Sequence, residues 1–235
     1  MEAIKKIELF GDSILKGIQI NPRNMRYHVD NHIDIEMISK EHSFVIRNHS
    51  QLGSTITKGY TLLKRYLQNG LKCDAVVMDF GGNDCDFKWK EIAECPDDVH
   101  MPNTPLNVFV DIYHQMITAL KEHSILPVLT TLPPLEPQKF FNWFCKGLNK
   151  ENIMKWLKSI NRIYVHQEDY SKAVEKIAHD EKVPLVDLRS AFLKNDRVDV
   201  LLCEDGTHPN TAGQKIITEA FSSFARSYYN KLRGR

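Results

Sequence analysis

The sequence predicts an α/β fold in which a five-stranded parallel sheet is covered by helices. Short runs rich in apolar residues alternate along the chain with longer amphipathic segments, and this alternation is typical of parallel strands joined by helices. Four of the five runs end in turns that contain glycine or proline. No internal repeat or Gly/Ser-rich linker interrupts the pattern, so we expect a single domain over residues 1–235.

The five runs and the helices between them can be placed along the chain. The strands are expected over residues 4–10, 44–48, 75–80, 125–131 and 184–188. One helix is expected between an N-cap at Ser54 or Thr55 and an end at Asn69-Gly70. Apolar residues at helical spacing predict further helices over residues 106–120 and 164–179, and a last helix that Asn210 caps. Residues 133–161 are the least regular stretch and are rich in aromatic side chains.

The amino-acid composition limits the classes of partner and the cellular compartments that fit this protein. Lys and Arg number 31 against 30 Asp and Glu, and this balance does not support nucleic acid or an anionic membrane surface as a partner. The five cysteines include no CxxC pair, so zinc-ligand pairs and dithiol chemistry have no support and a reducing compartment fits. We find neither a signal-peptide pattern nor a membrane span, and therefore expect a soluble, cytoplasmic protein.

Ser13 follows the first predicted strand, in the sequence Gly11-Asp12-Ser13, and opens a predicted helix. Glycine permits a tight turn there. A serine at this point can present its hydroxyl and its backbone N–H to the crevice at the carboxyl ends of the strands. That arrangement suits a nucleophile that attacks a carbonyl group. The alternative is that Asp12 or Ser13 is an ordinary N-cap.

Gly53 and Asn83 follow the next two strands. A glycine such as Gly53 lets the backbone approach a ligand and donate its N–H. The side-chain amide of Asn83, after Gly81-Gly82, is a neutral donor suited to a developing oxyanion. Both positions also fit ordinary turns, in which asparagine bonds to its own backbone.

Asp205 and His208 follow the last strand, within the segment Asp-Gly-Thr-His-Pro. An aspartate three residues before a histidine can accept the imidazole Nδ1–H, orient the ring and stabilise its protonated form. A turn-capping aspartate beside an ordinary histidine is the alternative. Metal ligation has no companion residues at suitable spacing, and no HExxH pattern occurs.

Together these residues resemble the SGNH hydrolase superfamily, the GDSL-type esterases and lipases. Four blocks carry the resemblance, in this order: Gly11-Asp12-Ser13-Ile14, Gly53, Gly81-Gly82-Asn83-Asp84 and Asp205-Gly206-Thr207-His208-Pro209. Ile14 stands where the family name has leucine, which is a conservative exchange. The resemblance implies a flavodoxin-like, three-layer α/β/α sandwich with strand order 2-1-3-4-5.

The resemblance also implies a role for each of these residues. Ser13 would be the nucleophile, with His208 as general base and acid and Asp205 as its partner. The N–H groups of Ser13 and Gly53 and the side chain of Asn83 would form the oxyanion hole. The implied reaction is ester hydrolysis through an acyl-enzyme, with no metal or organic cofactor. Because an ordinary histidine titrates near about 6.5 and must be neutral to act as base, we expect activity to rise with pH through or somewhat above that region.

The substrate is less determined than the chemistry. Asp86, Phe87 and Trp89 follow the Asn83 turn and are candidates for the substrate rim. Residues 133–161 are expected to form a lid, a wall of the acyl pocket or a subunit contact, with local core packing as the alternative, and a homo-oligomer stays open. The balanced charge and the lack of a membrane anchor favour a small soluble ester, acetylated or short-acyl, such as one on a carbohydrate.

Two other functions stay open. An acyltransferase would use the same acyl-enzyme and pass the acyl group to an alcohol other than water. A non-catalytic, flavodoxin-like binding module would use Ser13 only as a cap. A flavin or dinucleotide role is disfavoured because no GxGxxG follows the first strand.

Overall fold

A computed structural model of the chain describes residues 4–29 and 35–233, so residues 1–3, 30–34 and 234–235 of the expected domain lie outside the described residues. The elements in chain order are β1 (Lys6–Gly11), α1 (Ser13–Lys16), β2 (Ile18–Asn21), β3 (Arg26–Val29), α2 (Ile35–His42), β4 (Val45–Asn48), α3 (Ile56–Gln68), β5 (Ala75–Asp79), α4 (Trp89–Glu94), α5 (Leu106–Glu122), β6 (Leu126–Thr130), α6 (Pro137–Phe144), α7 (Lys150–Leu157), α8 (Asn161–Glu181), β7 (Leu185–Val186), α9 (Leu188–Leu193), a 3-10 turn (Val198–Leu201) and α10 (Thr211–Arg233).

The central sheet has five strands in the order β4-β1-β5-β6-β7, and every pair in it is parallel. Counted within this sheet alone, the order is 2-1-3-4-5, as the family resemblance implies. β1 lies between two partners, with Ile7 opposite Ile46 of β4 and Ala75 of β5. Parallel strands end at the same edge, so the turns after β1, β4 and β5 meet on one side of the molecule.

Helices cover both faces of the sheet. All five residues of β5 are buried, and alternate side chains of a strand enter opposite layers. Val76 and Met78 pack in a cluster with α3, α5 and α8, whereas Val77 packs in a second cluster with α9 and α10. The predicted three-layer α/β/α fold is confirmed.

The helices predicted after Thr55, from Leu106 and after Asn210 begin as expected, whereas α8 begins at Asn161, three residues before the predicted start. One cap also differs from the prediction. Asn210 Oδ1 accepts the backbone N–H groups of Ala212 and Gly213 and caps α10 as expected. The residue before α3 is Thr55, yet its side chain makes no capping hydrogen bond. The carboxylate of Asp84 accepts the N–H of Ile56 instead, at 3.0 Å from Oδ1. A side chain 28 positions along the chain therefore does what a local cap was expected to do.

An antiparallel hairpin of β2 and β3 was not predicted from the sequence. Its strands have four residues each, and the connecting residues 22–25 contain no Asn-Gly or Asp-Gly pair that would signal a tight hairpin turn. At the other end of the chain, β7 has two residues where five were expected. It is short because Asp187 accepts the N–H of Ser190 and begins α9 at once.

Residues 133–161 are more regular than their sequence suggests. They form α6 and α7, which pack with α4 around an apolar cluster that includes Trp89, Phe141 and Ile153. The indole ring of Trp89 stacks on Phe144 with ring centroids 3.9 Å apart. Local core packing, the alternative considered for this aromatic stretch, is confirmed.

Candidate active site

Ser13, His208 and Asp205 form a continuous chain of hydrogen bonds. The Oγ of Ser13 lies 2.9 Å from Nε2 of His208, and Nδ1 of His208 lies 2.5 Å from Oδ2 of Asp205. The serine and the histidine are 195 positions apart in the chain, and the sheet topology brings them together at its carboxyl edge. The arrangement has the geometry in which a histidine accepts a serine proton while a carboxylate orients the ring.

The turn between β1 and α1 positions Ser13. Asp12 Oδ1 accepts the N–H of Ile14 at 2.8 Å and is the N-cap of α1. A Cβ at Gly11 would lie 2.9 Å from the carbonyl oxygen of Asp79, so only glycine fits where β1 passes β5 this closely. Of the two residues considered as an N-cap, Asp12 is the one that caps α1. The hydroxyl of Ser13 makes its hydrogen bond to His208 instead.

The loop before α10 holds Asp205 and His208. Asp205 Oδ1 accepts the backbone N–H groups of Thr207 and His208, both at 3.1 Å. Gly206 has φ +70°, and a Cβ there would lie 2.6 Å from the carbonyl oxygen of Glu136. Burial would raise the pKa of Asp205, but the hydrogen bond and charge of His208, together with these N–H donors, lower it below its usual value. Asp205 is therefore an ionised partner for the imidazole.

Asn83 lies beside Asp12. The side-chain Nδ2 of Asn83 donates to Asp12 Oδ2 at 3.0 Å. The backbone carbonyl oxygen of Asn83 accepts from the side chain of Asn103 at 2.9 Å. One hydrogen of the Asn83 amide is thus held by Asp12. An amide group carries two, so the second can serve a ligand.

Gly53 lies in the turn after β4 with φ +70°. The structure does not place Gly53 itself on the wall of the cavity beside Ser13, although its neighbour Leu52 lines that wall. A Cβ at Gly53 would meet nothing within 4 Å, so its backbone conformation, not a lack of space, favours glycine. Its part in an oxyanion hole stays a prediction.

Ser13 and His208 open into a cavity of about 410 Å³. The three residues expected at the substrate rim, Asp86, Phe87 and Trp89, all line it. Residues 133–161 supply a further part of the wall, which is mainly apolar and aromatic, with Leu135, Phe140, Trp143, Trp156 and Leu157. The aromatic stretch is therefore both a packed cluster and a wall of the cavity.

Asp86 is a carboxyl group in this mainly apolar wall. Its Oδ1 accepts the backbone N–H of Phe87 at 2.9 Å and the indole N–H of Trp89 at 2.7 Å. Burial raises the pKa of Asp86 to about 6, and these two hydrogen bonds limit the rise. Asp86 thus changes its charge in the mildly acidic range.

Three further carboxyl groups are buried next to the site. Asp79 Oδ1 accepts from the Thr130 hydroxyl at 2.6 Å, while its Oδ2 is buried with no hydrogen-bond partner among the described residues. Burial raises the pKa of Asp79 and that of Asp84 to about 6. Burial, reinforced by the charges of Asp79 and Asp84, raises the pKa of Asp12 well above its usual value. Three carboxyl groups beside Ser13 thus have raised pKa values.

Tyr27 and Trp143 reach the site without any signal in their local sequence. The hydroxyl of Tyr27 donates to Asp205 Oδ2 at 3.3 Å, and the indole N–H of Trp143 donates to the Tyr27 hydroxyl at 3.1 Å. Tyr27 lies on β3 of the unpredicted hairpin, and Trp143 lies on α6. Neither follows a strand of the parallel sheet, which was the criterion that found the other site residues.

The family of the chain follows from comparison with known proteins. The model of the GDSL-like lipase/acylhydrolase family matches residues 9–216, and the chain belongs to that family. The match confirms the predicted SGNH resemblance and the predicted class, a GDSL-type carboxylic ester hydrolase.

Individual relatives are distant. Over 129 residues the chain is 27% identical to the isoamyl acetate-hydrolyzing esterase of Saccharomyces cerevisiae, and this match covers 54% of the chain and 50% of that protein. The chain thus spans about half the length of this curated relative.

Solved structures share the fold. The lipase/acylhydrolase from Enterococcus faecalis superimposes with a TM-score of 0.65 at 19% identity, over 94% of each chain. A catalytic mutant of an acetylxylan esterase from Geobacillus stearothermophilus gives a TM-score of 0.64 at 17% identity, again over 94% of each chain.

Neither a membrane-spanning helix nor a metal-binding cluster occurs among the described residues. No helix within residues 4–29 and 35–233 is both long and apolar enough to cross a membrane. In the same part of the chain, no group of three or more His, Cys, Asp or Glu side chains is arranged to hold a metal ion.

Proposed function

We propose that this chain is a serine esterase that hydrolyses a small soluble ester, acetylated or short-acyl, through an acyl-enzyme on Ser13. The observation that carries the proposal is the hydrogen-bonded chain from Ser13 through His208 to Asp205, which opens into a cavity of about 410 Å³. We propose further that residues 1–235 act as one domain. A cytoplasmic location and the lack of a nucleic-acid partner stay predictions from the sequence.

In the first half of the reaction His208 Nε2 takes the proton of Ser13 as Oγ bonds to the ester carbonyl carbon. Asp205, held ionised by its hydrogen bonds, stabilises the imidazolium that forms. The tetrahedral intermediate then collapses, the bond to the alcohol oxygen breaks, and His208 returns its proton to the leaving alcohol. In the second half, His208 Nε2 takes a proton from water as the water oxygen bonds to the acyl carbon. The bond from that carbon to Ser13 Oγ then breaks, His208 returns the proton to Oγ, and the carboxylic acid leaves.

The oxyanion needs donors while the tetrahedral intermediate exists. The Asn83 amide is the side-chain donor we propose, because Asp12 holds one of its hydrogens and thereby fixes the amide plane. The backbone N–H groups of Ser13 and Gly53 complete the proposed hole. Loss of a single such donor typically costs about 2.7–4 kcal/mol of barrier.

The cavity supports a small substrate. Its volume of about 410 Å³ lies in the lower part of the range for small-molecule sites. Phe140, Trp143 and Trp156 give it flat apolar walls, which suit a short acyl chain or the face of a sugar ring. Two relatives, an isoamyl acetate-hydrolyzing esterase and an acetylxylan esterase, have names that refer to acetyl esters. An acetyl ester, on a carbohydrate or a simple alcohol, is therefore the substrate we propose first.

Intact-mass labelling with a small fluorophosphonate tests the nucleophile. We expect one adduct, mapped to Ser13, because a hydrogen-bonded histidine makes this serine the activated one. The Ser13→Ala variant should take up no label and should lose hydrolysis of p-nitrophenyl acetate by at least about 10³-fold. Ser223→Ala, at an exposed serine on α10, is the matched control and should label as the wild type does.

The outcomes separate the competing functions. A wild-type chain that takes no label and hydrolyses no ester in a panel of graded acyl length would favour the non-catalytic binding module. If the chain labels at Ser13, added alcohols or sugars then separate hydrolysis from transfer, because an acyltransferase yields new esters in place of the free acid.

A further inference from the structure

The carboxylate of Asp205 receives a second side-chain donor besides His208. Its Oδ2 accepts from Nδ1 of His208 and also from the hydroxyl of Tyr27, which lies 3.3 Å away. Its Oδ1 is already occupied by the backbone N–H groups of Thr207 and His208. The phenol is therefore the one side-chain donor besides the imidazole that meets this carboxylate within the described part of the chain.

Trp143 fixes the direction of the Tyr27 hydroxyl. The indole N–H can only donate, and it lies 3.1 Å from the Tyr27 oxygen. With its oxygen engaged as an acceptor, the phenol has its own proton available for Asp205. Three groups from β3, α6 and the loop before α10 thus form one directed chain, from Trp143 through Tyr27 to Asp205.

The ring of Tyr27 also packs beside the base. Its centroid lies 5.2 Å from that of His208 and 6.1 Å from that of Trp143. Burial and the charge of Asp205 raise the pKa of Tyr27 to about 12, so the hydroxyl stays protonated and remains a donor at every pH at which an esterase would be assayed.

We propose that Tyr27 is a positioning residue of the esterase reaction, held in place by Trp143, which sets the orientation of Asp205 and through it the ring of His208. The inference rests on the proposed function, because it concerns the base of that reaction. Trp143 and Tyr27 both line the substrate cavity. The chain Trp143–Tyr27–Asp205 therefore links the wall that meets the substrate to the acid that orients the base.

The electrostatic effect of the Tyr27 hydroxyl can be separated from a purely structural one. The hydroxyl and the imidazole both donate to the Asp205 carboxylate, so a carboxylate that lacks the hydroxyl interacts more strongly with the protonated form of His208. Cys203, in the same loop as Asp205, is a further titratable group beside Tyr27, and Glu204 of that loop and Lys139 on α6 lie near Cys203. In the described residues none of these three donates to the Asp205 carboxylate, and Lys139 donates to the carbonyl of Asp199 instead.

Steady-state kinetics of the full chain with p-nitrophenyl acetate from pH 5 to 9 test the proposal, with Tyr27→Phe as the main variant. The substitution keeps the ring and removes the hydroxyl. We expect kcat to fall about three- to tenfold, KM to change less than kcat, and the acid limb of the pH profile to move to higher pH. The control is Tyr60→Phe on α3, where the ring meets Lys64 and packs on a core cluster, and Tyr60 itself is not among the residues that line the cavity.

Trp143→Phe supplies the second measurement. If Trp143 acts on the base through Tyr27, the double variant with Tyr27→Phe should have nearly the kcat of Tyr27→Phe alone, whereas independent effects would multiply. Its KM is expected to change, because the indole also lines the cavity. If Tyr27→Phe does not fold, Trp143→Phe alone should still lower kcat and shift the acid limb.

The outcomes distinguish this inference from the function on which it rests. Hydrolysis that survives Ser13→Ala would overturn the proposed function itself. Hydrolysis that depends on Ser13 but shows the same kcat and the same acid limb in Tyr27→Phe would overturn the role of Tyr27 alone. A fall in kcat with an unmoved acid limb, or one equal to that of Tyr60→Phe, would indicate a merely structural role and also overturn it.

Discussion

Two kinds of carboxyl group lie at the carboxyl edge of the sheet, and their surroundings treat them in opposite ways. Asp205 has a cationic partner available in His208 and two backbone N–H donors, and its pKa is lowered despite burial. Asp79 is also buried, but the Thr130 hydroxyl and, more weakly, the backbone N–H of Leu15 do not offset its burial, and its pKa is raised to about 6.

The difference shows that burial by itself does not decide whether an aspartate is charged. Desolvation disfavours the ion at both positions, and what decides the outcome is the number of donors and the sign of the nearby charges. Asp205 is thereby kept ready to stabilise an imidazolium. Burial and the neighbouring carboxyl groups instead raise the pKa of Asp12, which caps α1 beside the proposed oxyanion hole.

The largest expected effect comes from removing the charge of Asp205. In Asp205→Asn the amide can no longer stabilise the imidazolium and favours the wrong tautomer of His208, so we expect kcat to fall by about 10³- to 10⁴-fold. Hydrolysis of p-nitrophenyl acetate measures it, with circular dichroism to show that the fold is kept. Activity within tenfold of the wild type would show that Asp205 is not the partner of the base.

A smaller effect is expected at Asp12, where both carboxyl oxygens are in use. Oδ1 accepts from Ile14 and Oδ2 from Asn83, and an asparagine can accept at only one of these positions. We expect Asp12→Asn to misplace the Asn83 amide and lower kcat by about 10- to 100-fold, part of the cost of a lost oxyanion donor.

Asp111→Asn, at an exposed aspartate on α5, is the matched control for Asp12→Asn in the same assay. An Asp12→Asn variant as active as this control would break the proposed link between the buried carboxyls and the oxyanion hole.

The smallest effect is expected on stability, from Asp79. Because its pKa is raised to about 6 in the folded chain, the folded state binds more protons than the unfolded state between about pH 4 and 6, and the free energy of unfolding falls as pH rises through that window. Asp79→Asn removes this group, so the fall should be shallower, by on the order of 1–2 kcal/mol. Urea unfolding at pH 4, 5, 6 and 7 measures it, and a fall as steep as in the wild type would contradict the assignment.

The sequence by itself determined the parallel sheet and the residues of the hydrogen-bonded chain. Strand patterns and their turns are local. Ser13 and Asn83 lie in the turns that follow β1 and β5, whereas the Asp205–His208 pair follows β7 only after α9 and the 3-10 turn. Since parallel strands end at one edge, placing the strands also placed these groups. The position of Asp86, Phe87 and Trp89 on the cavity wall could be predicted because they follow the turn after β5.

Only the tertiary structure decided which groups surround the hydrogen-bonded residues Ser13, His208 and Asp205. Tyr27 meets Asp205 across 178 positions and Trp143 meets Tyr27 across 116, and no local pattern in a four-residue strand or a short helix encodes such a contact. The capping of α3 by Asp84 is likewise a long-range contact. The tertiary structure also decides the direction in which the pKa of each aspartate shifts, because its hydrogen-bond donors and neighbouring charges come from several elements packed together. The sequence specifies only that a carboxyl group is present.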